Sequence, residues 1–152
     1  PERTDLNIWD EDGPVLVVTG RVLDEDCAAV EGAQVSVWHA DQAGVYDNDS
    51  KDFHCRGLVP VEASDGTFCF ETLRPPPYTD GMGGFLPAHL HINIYLNGTK
   101  HHTTQLYFEG DPNLKVYPKN ERQIMVVEAL DDGTERIRVD FVIGDRPRTP
   151  KG

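Results

Sequence analysis

Two histidines one residue apart, His89 and His91, lie in the segment HLHINIYL, which has the pattern of a β-strand. Alternate residues of a strand project from the same face, so both imidazoles would stand side by side, opposite the apolar line Leu90, Ile92 and Ile94. Neutral imidazole binds many transition metals, and a pair on one face could hold one ion. Such a pair is also a common structural arrangement, so the two histidines alone do not decide between a metal site and a structural role.

Two tyrosines lie in stretches that are longer than strand connections require. Tyr46 lies in the stretch 42–58, and Tyr78 lies in the stretch 74–88, which leads directly into His89. Long connections carry function disproportionately often. With the two histidines, the phenol oxygens would form an N2O2 donor set. A free tyrosine has a pKa of about 10, so a strong Lewis acid is needed to stabilise its anion at neutral pH, and this donor set favours Fe(III). Packing or surface roles remain the alternative for loop tyrosines.

Seven segments of alternating or β-branched residues recur along the chain between turns rich in Gly, Asp and Asn. They cover residues 15–24, 33–41, 66–73, 89–96, 102–109, 122–130 and 136–143. No segment shows helical periodicity over three turns. The sequence therefore predicts an all-β fold, an antiparallel β-sandwich of about seven to eight short strands with long active-site loops. We expect a single domain over residues 1–152, with a flexible tail at 145–152.

Charge and cysteine content narrow the classes of partner. The net charge is −12, from 26 acidic and 14 basic residues, whereas nucleic-acid binding requires a basic surface, so no nucleic acid is expected. No apolar run reaches the ~18–20 residues of a membrane span, so no membrane partner is expected. Cys27, Cys55 and Cys69 lack the paired spacing of a zinc site, and we interpret them as reduced thiols of a cytoplasmic protein.

A series of motifs carries a resemblance to a known family. The motifs run in order from about Gly20 to Asp111 and are GRVLD, EGAQVSVWHADQAGVYD, FHCRG, SDGTFCFETLRPPPY, LPAHLHINIY and TTQLYFEGDP. This series resembles the catalytic core of the intradiol ring-cleavage dioxygenases. That family includes the catechol 1,2-dioxygenases and the protocatechuate 3,4-dioxygenases.

The resemblance implies a site and a reaction. Its Fe(III) ligands fall on Tyr46, Tyr78, His89 and His91, with Gln105 near the iron and the substrate. It implies non-haem, O2-dependent intradiol cleavage of a catechol-type ring to a muconate-type dicarboxylic product, with no organic cofactor. Tyr78 would help to take up a substrate proton. The implied partners are a small-molecule aromatic diol and O2, with assembly into a homo-oligomer left open.

One position departs from the family pattern. Members commonly carry an arginine three residues before the first metal-binding histidine, where this chain has Leu86. A charged donor there would stabilise negative charge that develops on the substrate. Three alternatives follow. The first is a catechol or hydroxyquinol enzyme in which another cation, with Arg56 as the nearest candidate, supplies the charge. The second is the same ferric site acting on a larger or unusual quinol-type metabolite. The third is a transthyretin-like binding module without catalysis.

Overall fold

The chain folds into β-strands throughout the part that the structure describes. The computed structural model describes residues 3–7, 13–30, 32–40, 55–75, 78–79, 85–86, 88–111, 114 and 124–143. Within these ranges there are eleven strands and no α-helix. The described residues accordingly include no helix with the length and apolar character of a membrane span.

The described strands form two sheets and one short ribbon. The first sheet consists of β1 (Val15–Leu23), β4 (Thr67–Leu73), β10 (Glu128–Ala129) and β11 (Glu135–Val142), in the spatial order β10-β11-β1-β4. The second consists of β2 (Ala33–Trp38), β3 (Arg56–Pro60), β7 (His89–Leu96), β8 (Thr99–Phe108) and β9 (Ile124–Met125), in the order β3-β2-β7-β8-β9. The ribbon pairs β5 (Tyr78–Thr79) with β6 (Phe85–Leu86).

The predicted all-β sandwich is confirmed, with nine strands in its two sheets rather than seven to eight. The sheets are mixed, because β1 pairs with β11 in parallel and β8 pairs with β9 in parallel. Turn signals along the sequence specify only antiparallel neighbours, so they could not predict these long-range parallel pairs.

Three segments differ from the predicted strand pattern. Residues 56–58 were expected to belong to a loop but are part of β3, which is an edge strand. Gly57 and Pro60 are uncommon in strands, so the sequence of β3 lacks the composition typical of a strand. The stretch 74–88 contains the two-residue strands of the ribbon. The single strand predicted over 122–130 is two short strands, β9 and β10, which belong to different sheets. The predicted tail 145–152 lies outside the described residues.

The core lies between the two sheets and is built from alternate residues of their strands. These inward side chains come from both sheets and include the fully buried Leu16, Val18, Val35, Leu90, Ile92, Ile94, Phe108 and Ile137. Burial of apolar surface is the main term that stabilises such a sandwich. The residues that alternate with them project outward and remain available for other roles.

A tight turn connects β7 and β8. Asn97 and Gly98 connect the two strands, and both have positive φ, 49° and 84°. That pair of conformations defines a type I′ turn, whose twist matches that of a two-stranded hairpin. The turn places Tyr95 opposite Lys100, and an irregularity of the pairing between Ile94 and Tyr95 then shifts the register, so that His91 lies opposite Gln105.

The N-terminal segment closes one open side of the sandwich. The Arg3 amide donates to the Leu58 carbonyl oxygen of β3, at 2.9 Å. Thr4 and Leu6 then bond with the backbone of Glu71 in β4, at 2.7 and 2.9 Å. Residues 3–6 thus join an edge strand of one sheet to an edge strand of the other, and on the opposite side residues 126–127 connect the edge strands β9 and β10 along the chain.

We predict that Gly20→Ala will destabilise the sandwich severely. A Cβ atom at Gly20 would lie 1.6 Å from the carbonyl oxygen of Val139, so β1 and β11 would have to separate. We expect the free energy of unfolding to fall by more than the ~1–3 kcal/mol typical of overpacking, as measured by urea denaturation. Gly110→Ala is the matched control, because a Cβ there meets nothing within 4 Å and the change incurs only the left-handed backbone penalty. Equal losses in the two variants would contradict this account of Gly20.

Candidate metal centre

His89 and His91 project from the outer face of the second sheet. The residues that alternate with them on β7, Leu90, Ile92 and Ile94, are fully buried on the opposite face. β7 is hydrogen-bonded to β2 on one side and to β8 on the other, so the backbone beneath both imidazoles is held from both sides. The strand and the shared face predicted from the His-x-His spacing are therefore present.

The two imidazoles converge on one point. Their Nε2 atoms lie 3.1 Å apart, and the rings meet edge to face with their centroids 4.7 Å apart. Because bonds from a metal to imidazole nitrogen are about 2.0–2.1 Å long, one ion bound to both atoms would subtend an N–metal–N angle of roughly 95–100°. The observed separation therefore fits two neighbouring ligands of a single metal ion.

The protonation state of His91 suits this role. The pKa of His91 is lowered from 6.5 to about 4. The larger cause is burial, and the smaller cause is repulsion from a protonated His89. The imidazole is consequently neutral at pH 7. A neutral imidazole offers the nitrogen lone pair that a metal requires.

Four side chains, one from each of four neighbouring strands, form a row across this face. In the register of the sheet, Trp38 of β2 lies between Arg56 of β3 and His91 of β7. Gln105 of β8 lies opposite His91 on the other side. The indole of Trp38 stacks on the imidazole of His91, with the ring centroids 4.9 Å apart and 6° between the planes. Because neighbouring strands are about 4.8 Å apart, the backbone of Arg56 lies roughly 10 Å from the backbone of His91, with Trp38 between them.

Tyr107 and Gln105 contact the two histidines from β8. The side-chain nitrogen of Gln105 lies 3.4 Å from Nδ1 of His91, and the Tyr107 hydroxyl donates to Oε1 of Gln105. Tyr107 lies opposite His89 in the register, is only 5% exposed, and has its ring centroid 5.6 Å from that of His89. Tyr107 was not among the predicted site residues, although the alternation in TTQLYF places it on the same face as Gln105.

A buried carboxylate holds the residue before His89. Asp111 follows β8 in the EGDP turn, and its Oδ2 accepts a hydrogen bond of 2.8 Å from the backbone N–H of Ala88. Both residues are buried, at 9% and 2% exposure. The bond fixes the start of β7 and therefore the position from which His89 projects. Asp111 marks the end of the resemblance, but its role could not be read from the sequence.

A second buried histidine joins the two sheets. His39, which follows β2, places Nε2 2.6 Å from Oγ1 of Thr72 in β4 and Nδ1 2.7 Å from the carbonyl oxygen of Ala40. Because a carbonyl oxygen only accepts, Nδ1 carries the hydrogen, and Thr72 donates to Nε2. Ala40 precedes the stretch that contains Tyr46, and Thr72 precedes the stretch that contains Tyr78. The bond therefore ties together the origins of the two long connections.

Three predicted site residues are described only partly or not at all. Tyr46 lies outside the described residues. Tyr78 and Leu86 are described in their backbone, where they lie directly opposite each other in the ribbon of β5 and β6. In the part of the chain that the structure describes, no three His, Cys, Asp or Glu side chains form a group that could hold a metal. The tyrosine ligands therefore stay predictions.

Comparison with known proteins identifies the family. The model of a family described as "Dioxygenase" matches residues 2–141. A chlorocatechol 1,2-dioxygenase of Rhodococcus opacus is 37% identical over 123 residues, which are 69% of this chain and 48% of that protein. A hydroxyquinol 1,2-dioxygenase of Rhizobium sp. (strain MTP-10005) is 30% identical over 155 residues, which are 89% of this chain and 52% of that protein. The chain thus spans about half the length of these curated relatives.

A solved structure of similar size supports the same assignment. It is the dioxygenase domain of a dioxygenase–carbohydrate-binding protein fusion from Streptomyces sp. SirexAA-E. The similarity has a TM-score of 0.78 at 30% sequence identity and covers 95% of this chain and 88% of that one. Taken with the family match over almost the whole chain, this shows that the chain belongs to the intradiol ring-cleavage dioxygenase family.

Proposed function

We propose that this chain is the iron-binding core of an enzyme that cleaves an aromatic diol with O2, between the two hydroxyl-bearing carbons. The observation that carries the proposal is the pair of Nε2 atoms 3.1 Å apart on the outer face of β7, in a chain of this family. The relatives are named for chlorocatechol and hydroxyquinol, so a catechol or hydroxyquinol is the proposed substrate class. The proposed product is a muconate-type dicarboxylic acid.

The proposed ligands of the ion are Tyr46, Tyr78, His89 and His91. Two neutral imidazoles and two phenolates would compensate most of the charge of Fe(III), and the hard phenolate oxygens favour that ion over softer ones. The separation of the two imidazole nitrogens supports this set from the histidine side. When bound, Fe(III) would supply the Lewis acidity that holds both diol oxygens and activates the ring toward O2.

Tyr78 is the proposed base of the site. Its phenolic oxygen would take up one proton of the diol, which removes the need for a separate carboxylate. The ribbon supports this role, because the backbone of Tyr78 lies opposite Leu86, three residues before His89. Trp38 would hold the plane of the His91 ring through the stacking contact and shield that side of the ring from water.

Leu86 and Arg56 define the proposed specificity. Leu86 stands where the family commonly has an arginine, so the pocket would be less charged at this point and could accept a larger quinol-type ring. Arg56 lies in the same row as His91 but beyond Trp38, which suits contact with a substituent of the substrate better than contact with its diol oxygens. Arg56 therefore stays our candidate cation of the pocket, acting on a substituent of the substrate rather than on the negative charge that the family's arginine would stabilise.

The remaining expectations stay predictions. They are the single domain over residues 1–152, the possibility of a homo-oligomer and the cytoplasmic location inferred from the cysteines. The three cysteines are free in the structure, and their reduced state is likewise a prediction. A non-catalytic binding module is the alternative, and an iron-loaded protein that consumes no O2 with any of a panel of catechols would favour it over the proposed function.

We predict that the protein loaded with Fe(III) is wine-red to purple, because phenolate-to-iron charge transfer absorbs visible light. Tyr46→Phe should weaken or shift this band, since it removes one of the two phenolates, and absorption spectroscopy at fixed iron content measures the change. Tyr95→Phe is the matched control, because Tyr95 is a partly buried tyrosine of β7 outside the proposed ligand set. A protein that takes up Fe(III) yet stays colourless would rule out the tyrosinate ligands.

We predict that Leu86→Arg will lower turnover of a bulky bicyclic diol more than turnover of a small catechol, because the long cation would intrude on the larger ring. O2 consumption by the wild type and the variant on both substrates measures the effect. If the variant instead gained activity on both substrates, by the roughly 10²–10³-fold that one oxyanion donor contributes, specialisation for a large ring would be rejected.

We predict that Arg56→Met will raise KM for a carboxylated catechol more than for catechol itself. The reason is that Arg56 lies across Trp38 from His91, at a position suited to a substituent. Steady-state O2 uptake on the two substrates gives the ratio. Arg21→Met is the control, since Arg21 pairs with Asp140 at 2.9 Å on the first sheet. An equal change in KM for both substrates would remove Arg56 from the specificity account.

A further inference from the structure

Four side chains on the outer face of the second sheet form one continuous chain of hydrogen bonds. The hydroxyl of Tyr107 bonds to Oε1 of Gln105, and the amide nitrogen of Gln105 lies 3.4 Å from Nδ1 of His91. Nε2 of His91 in turn lies 3.1 Å from Nε2 of His89. Each bond of this chain restricts the direction of the next one.

The direction of each hydrogen bond follows from which of its atoms can donate. An amide nitrogen only donates, so Nδ1 of His91 accepts, and the neutral ring carries its hydrogen on Nε2. His91 then donates from Nε2 to Nε2 of His89. His89 must therefore carry its own hydrogen on Nδ1.

This arrangement prepares one histidine for a metal ion but not the other. An ion bound to both Nε2 atoms needs a lone pair on each of them. His89 already presents its lone pair, whereas His91 presents a hydrogen. His91 must therefore take the other tautomer, with its hydrogen on Nδ1, and that hydrogen then needs an acceptor.

The side chain of Gln105 can provide that acceptor by turning over. A half-turn of its amide would bring Oε1 to Nδ1 of His91 and the amide nitrogen to the hydroxyl oxygen of Tyr107. Tyr107 would then accept instead of donate and would hold the amide in its new orientation. The proton balance is zero, because the His91 ring loses one hydrogen at Nε2 and gains one at Nδ1.

We infer that Gln105, held by Tyr107, is a positioning residue that selects the metal-binding tautomer of His91 by reversing its amide. The inference rests on the proposed metal site and adds a role to Gln105 beyond nearness to the substrate. A residue that acted only on substrate would leave metal affinity unchanged. One that fixes a ligand's tautomer should change metal affinity by about 10–100-fold when it is removed.

The experiment uses the full chain and Zn(II), a diamagnetic ion that binds imidazole nitrogen. The ¹⁵N NMR spectrum of histidine-labelled protein reports which ring nitrogen of His91 carries the hydrogen, before and after zinc is added. Calorimetric titration gives the zinc affinity of the wild type, Gln105→Met, Gln105→Glu and Tyr107→Phe. Thr103→Val is the matched control, because Thr103 donates to Asn93 at 2.8 Å on the same two strands.

The inference predicts a distinct pattern across these variants. In the wild type, His91 carries its hydrogen on Nε2 without zinc and on Nδ1 with zinc. Gln105→Met, which keeps the length of the side chain but removes the acceptor, lowers zinc affinity about 10–100-fold. Gln105→Glu, which can only accept, restores at least wild-type affinity and shows the Nδ1–H form even without zinc. Tyr107→Phe has a smaller effect than Gln105→Met, and Thr103→Val has none.

Two results would overturn the inference. One is an unchanged zinc affinity in Gln105→Met, with its melting temperature showing an intact fold. The other is a wild type without zinc in which His91 already carries its hydrogen on Nδ1. A protein that shows the full zinc pattern but consumes no O2 with any catechol supports the inference and rejects the proposed function, so the two failures are distinguishable.

Discussion

Two imidazole nitrogens 3.1 Å apart repel each other unless a hydrogen or a cation lies between their lone pairs, and the rest of the site serves this one constraint. The central position of β7 holds the backbone beneath both rings. Trp38 fixes the plane of His91 by stacking, and Asp111 fixes the amide immediately before His89. Burial keeps the pKa of His91 low, so the ring is neutral at pH 7 and carries one hydrogen rather than two, which leaves one ring nitrogen with a lone pair.

The two faces of β7 have different roles: one face stabilises the fold, and the other carries the proposed metal ligands. Inward residues of β7 belong to the core, and the two histidines occupy the outward positions between them. A rigid core of this kind allows polar side chains at these outward positions, because the inward residues form the core. The bond between His39 and Thr72 extends the same support to the origins of both long connections, from which the proposed tyrosine ligands would come.

Local sequence signals were sufficient to predict the strands and turns that neighbouring residues determine. The alternation around His89 and His91 predicted the strand and its faces, and the connections rich in Gly, Asp and Asn predicted turns such as the one at Asn97 and Gly98. The parallel pairing of β1 with β11 could not be predicted, because it joins segments more than one hundred residues apart with no signal in either one. Alternation in TTQLYF indicates the face of Tyr107 but not its partner, which depends on the register of β7 and β8. The partners of Thr72 and Asp111 depend on how distant segments pack together, so no local signal predicts them. The ligand role of Tyr46 comes from the family resemblance and lies outside the described residues.

The central claim is that His89 and His91 bind one ferric ion through their Nε2 atoms. The most direct measurement is an X-ray structure of the iron-loaded protein with an anomalous difference map recorded at the iron edge. We predict a single peak within about 2.0–2.1 Å of both Nε2 atoms, because that is the usual length of a metal–imidazole bond. A peak elsewhere, or a peak bound to only one of the two histidines, would contradict the account.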